Sequence, residues 1–294
     1  MWRVPRYTRE QVRRRRRVAA LILAALLLVV VGSCTAGMVR VIGGSAAESQ
    51  AAEITATPER TRRADPSAVD VPATPRDAAA LSQLPAGESL ADGEALGIDV
   101  SAHQGAIDWE RIRGSGVSFA YIKATEGTGH VDERFVANWQ GADQAGLARG
   151  AYHYFTLCSG GEEQAIDFLN AVPPSDDHLP PVIDLELDGS CEAAPDRATV
   201  DREVSTFVEA VEKAWGRRVV VYSSWDWRNT YGLPEETTRP QWHSDVDERP
   251  DTDWDIWQVR FDARLPGIDH DVDLDVDLDV MKVDDLREAS ALDA

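Results

Sequence analysis

From Ala95 onward the chain alternates short apolar runs with longer amphipathic stretches. The apolar runs predict strands at Leu96–Val100, Ser118–Ala124, Arg149–Phe155, Pro181–Leu187, Arg218–Ser223, Asp255–Val259 and Val276–Val283. Helices are expected between the early ones, at Trp109–Gly114, Glu133–Gly146, Glu162–Val172 and Thr199–Trp215. In the last of these, Val200, Val204, Phe207, Val208, Val211 and Trp215 form one stripe, as in a helix packed on a sheet. Thr199 or Asp201 stands near its start as a cap. Strands alternating with helices predict a parallel sheet covered by helices, so the fold class is α/β. About 200 residues are fewer than the ~250 of eight complete β/α units. No clear helix separates Ser223 from Val283. A TIM-like β/α barrel with a truncated, strand-rich second half is expected; an open doubly wound sheet is the alternative.

The N-terminal third obeys other rules. Eight arginines precede residue 18, and an uncharged run then extends from Val18 to Val39. Its length meets the ~20 apolar residues needed to span a bilayer, and the arginines would stay inside. Three readings fit: an uncleaved signal anchor, a cleaved signal peptide, and a lipobox at Val31-Gly-Ser-Cys34. Each exports the rest of the chain, either membrane-anchored or secreted. Residues 40–93 are rich in Ala, Pro, Thr, Ser, Glu and Asp without a persistent apolar period, which predicts a flexible linker. The expected organisation is therefore a basic cytoplasmic segment (1–17), an anchor or signal (18–39), the linker (40–93), a catalytic barrel (94–285) and a tail (286–294).

Charge narrows the partners. Residues 94–294 carry 17 basic and 42 acidic side chains, a net of −25. Such a surface repels phosphate backbones, which argues against nucleic acid. Of the three cysteines, Cys34, Cys158 and Cys191, no two form a C-x-x-C pair, so a zinc site is not indicated. A Cys158–Cys191 disulfide suits an oxidising compartment, although two isolated thiols can also stay free.

The chemistry concentrates in Val182-Ile-Asp-Leu-Glu-Leu187. Residues two apart in a strand share a face, so Asp184 and Glu186 project together while Leu185 points away. Paired carboxylates in an apolar strand push at least one pKa upward, as a general acid near neutral pH requires. In a β/α barrel the chemistry sits at one end of the strands. The other strand ends supply Asp99, Lys123, Glu126, Tyr152, His153, Tyr154, Tyr222, Trp257, Gln258 and Asp273. Aromatics beside carboxylates suit sugars, whereas His153 is more often a satisfied core histidine and Trp257 more often packing.

Seven motifs occur in order: Gly97-Ile-Asp-Val-Ser101, Ile122-Lys-Ala-Thr-Glu-Gly127, Gly150-Ala-Tyr-His-Tyr154, Pro181-Val-Ile-Asp-Leu-Glu186, Val221-Tyr-Ser223, Trp257-Gln258, and Gly267-Ile268 followed by Val272-Asp-Leu274. Together they resemble the family 25 glycoside hydrolases, the muramidase-type lysozymes. The resemblance implies an irregular barrel of about five β/α units with a strand-rich remainder. It implies hydrolysis of the β-1,4 bond from N-acetylmuramic acid to N-acetylglucosamine in peptidoglycan glycan strands, without metal or cofactor. By position, Glu186 corresponds to the proton donor, Asp184 to its partner acid, and Asp99 and Asp273 to further site acids. Tyr152, Tyr154, Tyr222, Trp257, Gln258 and Lys123 are the expected substrate contacts, and a monomer is expected.

Two departures stand out. Gln241-Trp-His-Ser-Asp245 matches only loosely the tryptophan-containing strand of that family. Asp271–Val280 doubles a motif normally seen once: spacing from Gly267 favours Asp273, while proximity to the domain end favours Asp277. The rival functions are a wall-binding module without turnover and a same-fold hydrolase of another N-acetylhexosamine polymer.

Overall fold

The computed structural model describes residues 69–187, 194–233, 238–246, 248–268 and 276–292. Their strands are β1 (Glu94–Val100), β2 (Phe119–Glu126), β3 (His130–Val131), β4 (Ala148–Tyr154), β5 (Val182–Leu185), β6 (Val220–Ser223), β7 (Gln241–Ser244), β8 (Ile256–Ala263) and β9 (Val276–Lys282). Their helices are α1 (Trp109–Gly114), α2 (Phe135–Gln144), α3 (Gly161–Ala171), α4 (Arg197–Trp215), α5 (Trp225–Tyr231) and α6 (Val283–Ala289).

The sheet order is β1-β9-β8-β7-β6-β5-β4-β2-β3, and a parallel β1–β2 pairing closes it into a barrel. β3 pairs only with the end of β2, so eight strands form the wall. The wall strands run parallel except β9, which is antiparallel to both β1 and β8. Five β/α units come first (β1–α1, β2–α2, β4–α3, β5–α4, β6–α5), and β7 to β9 succeed one another without intervening helices among the described residues. The open-sheet alternative is excluded by the closure.

Two apolar layers hold this wall. Outward-facing side chains such as Ile98, Ile122, Ile183, Val221 and Trp257 join the helix stripes, including Val204, Phe207 and Val211 of α4. Inward-facing side chains fill the lumen with Ala95, Phe119, Tyr121, Val182, Val220, Tyr222, Trp242, Ile256 and Met281. Large and small residues alternate to fit so narrow a space. A Cβ on Gly97 would collide with the Phe119 ring, and one on Gly150 with the Tyr121 ring.

Several details differ from the sequence expectations. The α4 cap is Asp196, whose carboxylate accepts from Thr199 N at 3.0 Å; neither Thr199 nor Asp201 fills that place. β7 and α5 have no counterpart among the expected elements. Residues 69–93 are not flexible linker. Thr74 Oγ1 accepts from Leu96 N at 2.8 Å and meets Ser118 Oγ at 3.0 Å, while Ala80 is buried. Glu88 and Glu94 both pair with Arg249, at 3.1 and 2.5 Å. A few well-spaced anchors (Val69, Ala80, Leu81, Leu84, Leu90) order this polar stretch. The tail from residue 286 is likewise structured: α6 buries Leu286, and Arg218 N donates to Ser290 O at 2.8 Å. No described helix is long and apolar enough to cross a membrane. The expected membrane segment 18–39, Asp273 and Cys191 lie outside the described residues.

Candidate active site

Strand parity decides which side chains meet. In β5, Val182 and Asp184 face the lumen while Ile183 and Leu185 join the helix layer. Glu186, one residue past the strand, is half-exposed and acts electrostatically on both Asp184 and Tyr222. The two carboxylates therefore stand near one another at the open end of one strand.

The neighbouring strands present Asp99 (β1), Lys123 and Glu126 (β2), Tyr152 and Tyr154 (β4), Tyr222 (β6), Gln258 (β8) and Asp277 (β9) at that end. A register shift in β2 between Lys123 and Thr125 puts one extra residue into the strand. Such a bulge re-aims side chains, and here Lys123 and Glu126 both reach the mouth while Thr125 turns outward. Lys123 Nζ then lies 2.5 Å from Glu126 Oε2 and 4.6 Å from the Tyr154 ring centre.

A chain of hydrogen bonds crosses the lumen. Tyr222 Oη donates to Gln258 Oε1 at 3.0 Å, and Gln258 Nε2 donates to Asp99 Oδ2 at 3.0 Å. Asp277 stands directly opposite Asp99 across the β1–β9 pairing. Deeper still, Asp279 is fully buried, and its Oδ1 accepts from Trp242 Nε1 at 3.1 Å.

Burial dominates the electrostatics. It raises Asp184 well above the usual carboxylate range, with the charges of Glu186 and Asp99 adding to the effect and Lys123 opposing it. Among the described residues the buried Asp184 Oδ1 meets no hydrogen-bond donor. Burial pushes Asp99 up to about 6, against the hydrogen bonds from Gln258 and Asp279. Tyr152 and Tyr222 are raised too, first by burial and then by the surrounding carboxylates, so both stay phenolic. The arrangement is a mouth lined by acids of unequal proton affinity beside tyrosines: groups that can give a proton, orient an amide or stabilise positive charge. Among the described residues no cluster of three or more His, Cys, Asp or Glu is arranged to hold a metal ion.

Most of the expected site residues thus converge. Trp257 does not. It is fully buried in the outer layer, its Nε1 donates to Asp245 O at 2.6 Å, and no sugar could reach its ring. In β8 every residue from Ile256 to Val259 is buried, so alternation along the sequence could not distinguish lumen from helix side. Of the two weighed acids, Asp277 stands opposite Asp99 at the mouth, and Asp273 lies outside the described residues. Sequence reasoning misses Asp279 and Trp242, although Asp277 and Asp279 share parity and the aspartate run offers that signal.

The chain matches the family model "Glycosyl hydrolases family 25" over residues 98–268. It is 38% identical over 186 residues to "Uncharacterized protein YegX" of Escherichia coli (strain K12), covering 60% of this chain and 67% of that protein. It is 36% identical over 194 residues to "Lysozyme M1" of Streptomyces globisporus, covering 60% of this chain and 65% of that protein. Among solved structures, a family 25 glycosyl hydrolase from Bacillus anthracis superposes with a TM-score of 0.59 at 32% identity, covering 66% of this chain and 91% of the other. The acid-lined mouth at the end of β5 falls within the matched span, and on these grounds the chain belongs to glycosyl hydrolase family 25.

Proposed function

We propose that this domain is an N-acetylmuramidase that cleaves the β-1,4 bond from N-acetylmuramic acid to N-acetylglucosamine in peptidoglycan. The observation that carries this reading is the Asp184–Glu186 pair on one strand end, with the buried Asp184 Oδ1 meeting no donor among the described residues. Nucleophile and acid of a direct displacement flank the scissile bond from opposite sides; two acids on one face favour assistance by the substrate's own acetamido group.

In that route Glu186 protonates the leaving oxygen as the C1–O bond breaks, and the acetamido oxygen forms the new bond to C1. Asp184 accepts the acetamido N–H and stabilises the positive charge of the resulting ring. Glu186 then takes a proton from water, which attacks C1 and releases the acetamido group. Tyr222, held by Gln258, and Asp99 line the path of the sugar. The domain acts outside the cell as a monomer, delivered by the segment before residue 40, and Cys158 pairs with Cys191.

Release of reducing ends from purified peptidoglycan tests the activity. Glu186→Gln should lower kcat by about 10²- to 10⁴-fold. Mass spectrometry should find N-acetylmuramic acid at the new reducing ends; N-acetylglucosamine there would refute the assigned bond. A glycosyl ester trapped on an aspartate would refute the acetamido route. Wild-type protein that binds wall without releasing sugar would favour the binding-module reading.

A further inference from the structure

Beneath the mouth lies a further acid, Asp279, that the proposed mechanism does not use. Asp279 is inward-facing on β9, one step deeper than Asp277, with Gly97 opposite on β1 and Gln258 opposite on β8. It is fully buried, and its Oδ1 is occupied by Trp242 Nε1. Among the described residues its Oδ2 meets no N–H or hydroxyl donor. The acid beside it is Asp99, one pairing step nearer the mouth on β1 and close enough for the two carboxyls to be coupled. Two carboxyls can be bonded to each other only if one of them carries the proton.

The other contacts decide which one. Asp99 Oδ2 already accepts from Gln258 Nε2, whose amide is fixed because its oxygen accepts from Tyr222 Oη. Asp99 is also half-exposed at the mouth, whereas Asp279 is sealed below it. Ionised Asp279 would be a buried charge facing a second carboxylate, and its only donor among the described residues is an indole N–H.

We infer that Asp279 is a protonated positioning residue whose carboxyl O–H donates to Asp99, fixing the Asp99 carboxylate towards the mouth where the sugar lies. The proton affinities agree: burial raises Asp279 well above the usual carboxylate range, and the charges of Asp99 and Asp277 raise it further. Titratable groups facing this part of the lumen are Asp99 from β1, Lys123 and Tyr121 from β2, Tyr152 from β4, Asp184 from β5, Tyr222 from β6 and Asp277 from β9 itself. Among the described residues β7 and β8 contribute the neutral Trp242 and Gln258.

The role of Asp279 in turnover rests on the muramidase reading; its proton does not. Infrared difference spectra of the full chain at pH 7, wild type minus Asp279→Asn, should show the carbonyl band of one protonated carboxyl. Absence of that band overturns the inference, whether or not the protein cleaves wall. In the peptidoglycan assay Asp279→Asn, which keeps a donor to Asp99 and an acceptor for Trp242, should retain kcat within a few-fold. It should also lose the alkaline limb of the pH profile that comes from ionising Asp279. Asp279→Ala should lose about tenfold to a hundredfold in kcat, the scale of a misplaced reacting group. An Asn variant as impaired as the Ala variant would overturn the positioning role. Should Ala prevent folding, the infrared band and the Asn pH profile decide alone.

Discussion

His153 sits on the helix side of β4, stacked on Phe207 with ring centres 4.7 Å apart. Its tautomer is fixed by its neighbours. Gln164 Nε2 donates to Thr156 O and Ser159 O, so its Oε1 faces His153 Nε2 at 3.0 Å, which must carry the hydrogen. His153 Nδ1 then accepts from Thr125 Oγ1 at 2.7 Å. Burial lowers the imidazole from 6.5 to about 4, with the Gln164 hydrogen bond opposing. Because the folded value lies below the unfolded one, the unfolded chain takes up the proton first. Stability is intact above about pH 6.5 and is lost as pH falls toward 4. At about 1.4 kcal/mol per pKa unit the full effect is about 3 kcal/mol, of which about 2 kcal/mol has gone by pH 5. The raised carboxyls of Asp99, Asp184 and Asp279 act with the opposite sign, since they hold protons more tightly when folded. A difference measurement removes them. Urea unfolding of wild type and His153→Gln, monitored by tryptophan fluorescence at pH 7.5 and pH 5, should give a stability difference that changes by about 2 kcal/mol, the wild type losing more. Parallel pH dependences for the two proteins would refute the reasoning.

Other outcomes come from the same packing. Trp257→Ala should cost about 3–5 kcal/mol in urea unfolding while leaving KM for wall fragments unchanged at a temperature where the variant is folded; a raised KM would return the ring to the site. Gly97→Ala should destabilise by about 1–3 kcal/mol, because its methyl group overlaps the Phe119 ring; an unchanged urea midpoint would show that the lumen can relax. A chain beginning at residue 94 should be less stable than one beginning at residue 69 by at least about 2 kcal/mol, the burial of Val69 and Ala80 with their neighbours. Equal melting temperatures for those two chains would restore residues 69–93 to the linker.

Much of the fold is legible because the early strands are β-branched runs separated by helices with clear stripes. Val200 to Trp215 specify α4 by periodicity alone. β7 escapes because Gln-Trp-His-Ser carries no β-branched residue and draws its order from pairing with β6 and β8. α5 escapes because Trp225-Asp-Trp-Arg-Asn-Thr-Tyr231 presents just two buried side chains, too few for a stripe. Residues 69–93 have the composition of a spacer, and their order comes from tertiary partners such as Ser118 and Arg249 that no local pattern reveals. In the site, the Asp184–Glu186 geometry is a product of alternation. The Trp257 error has a different origin: a barrel wall is buried on both sides, so hydrophobicity does not say which parity looks inward. Asp279 is concealed by its own neighbourhood, since a run of alternating aspartates reads as an acidic edge until pairing with β1 and β8 puts it indoors.

The glycine-for-ring exchange inside the wall has a consequence for how a polymer could be cut. With Phe119 and Tyr121 occupying the room that Gly97 and Gly150 vacate, the bore is plugged below the carboxylates. No glycan end can be threaded down it and clipped unit by unit. On the proposed reading a glycan strand must instead reach the carboxylates from the open end of the barrel, so the sugars being cut stay above the packed rings and never enter the bore.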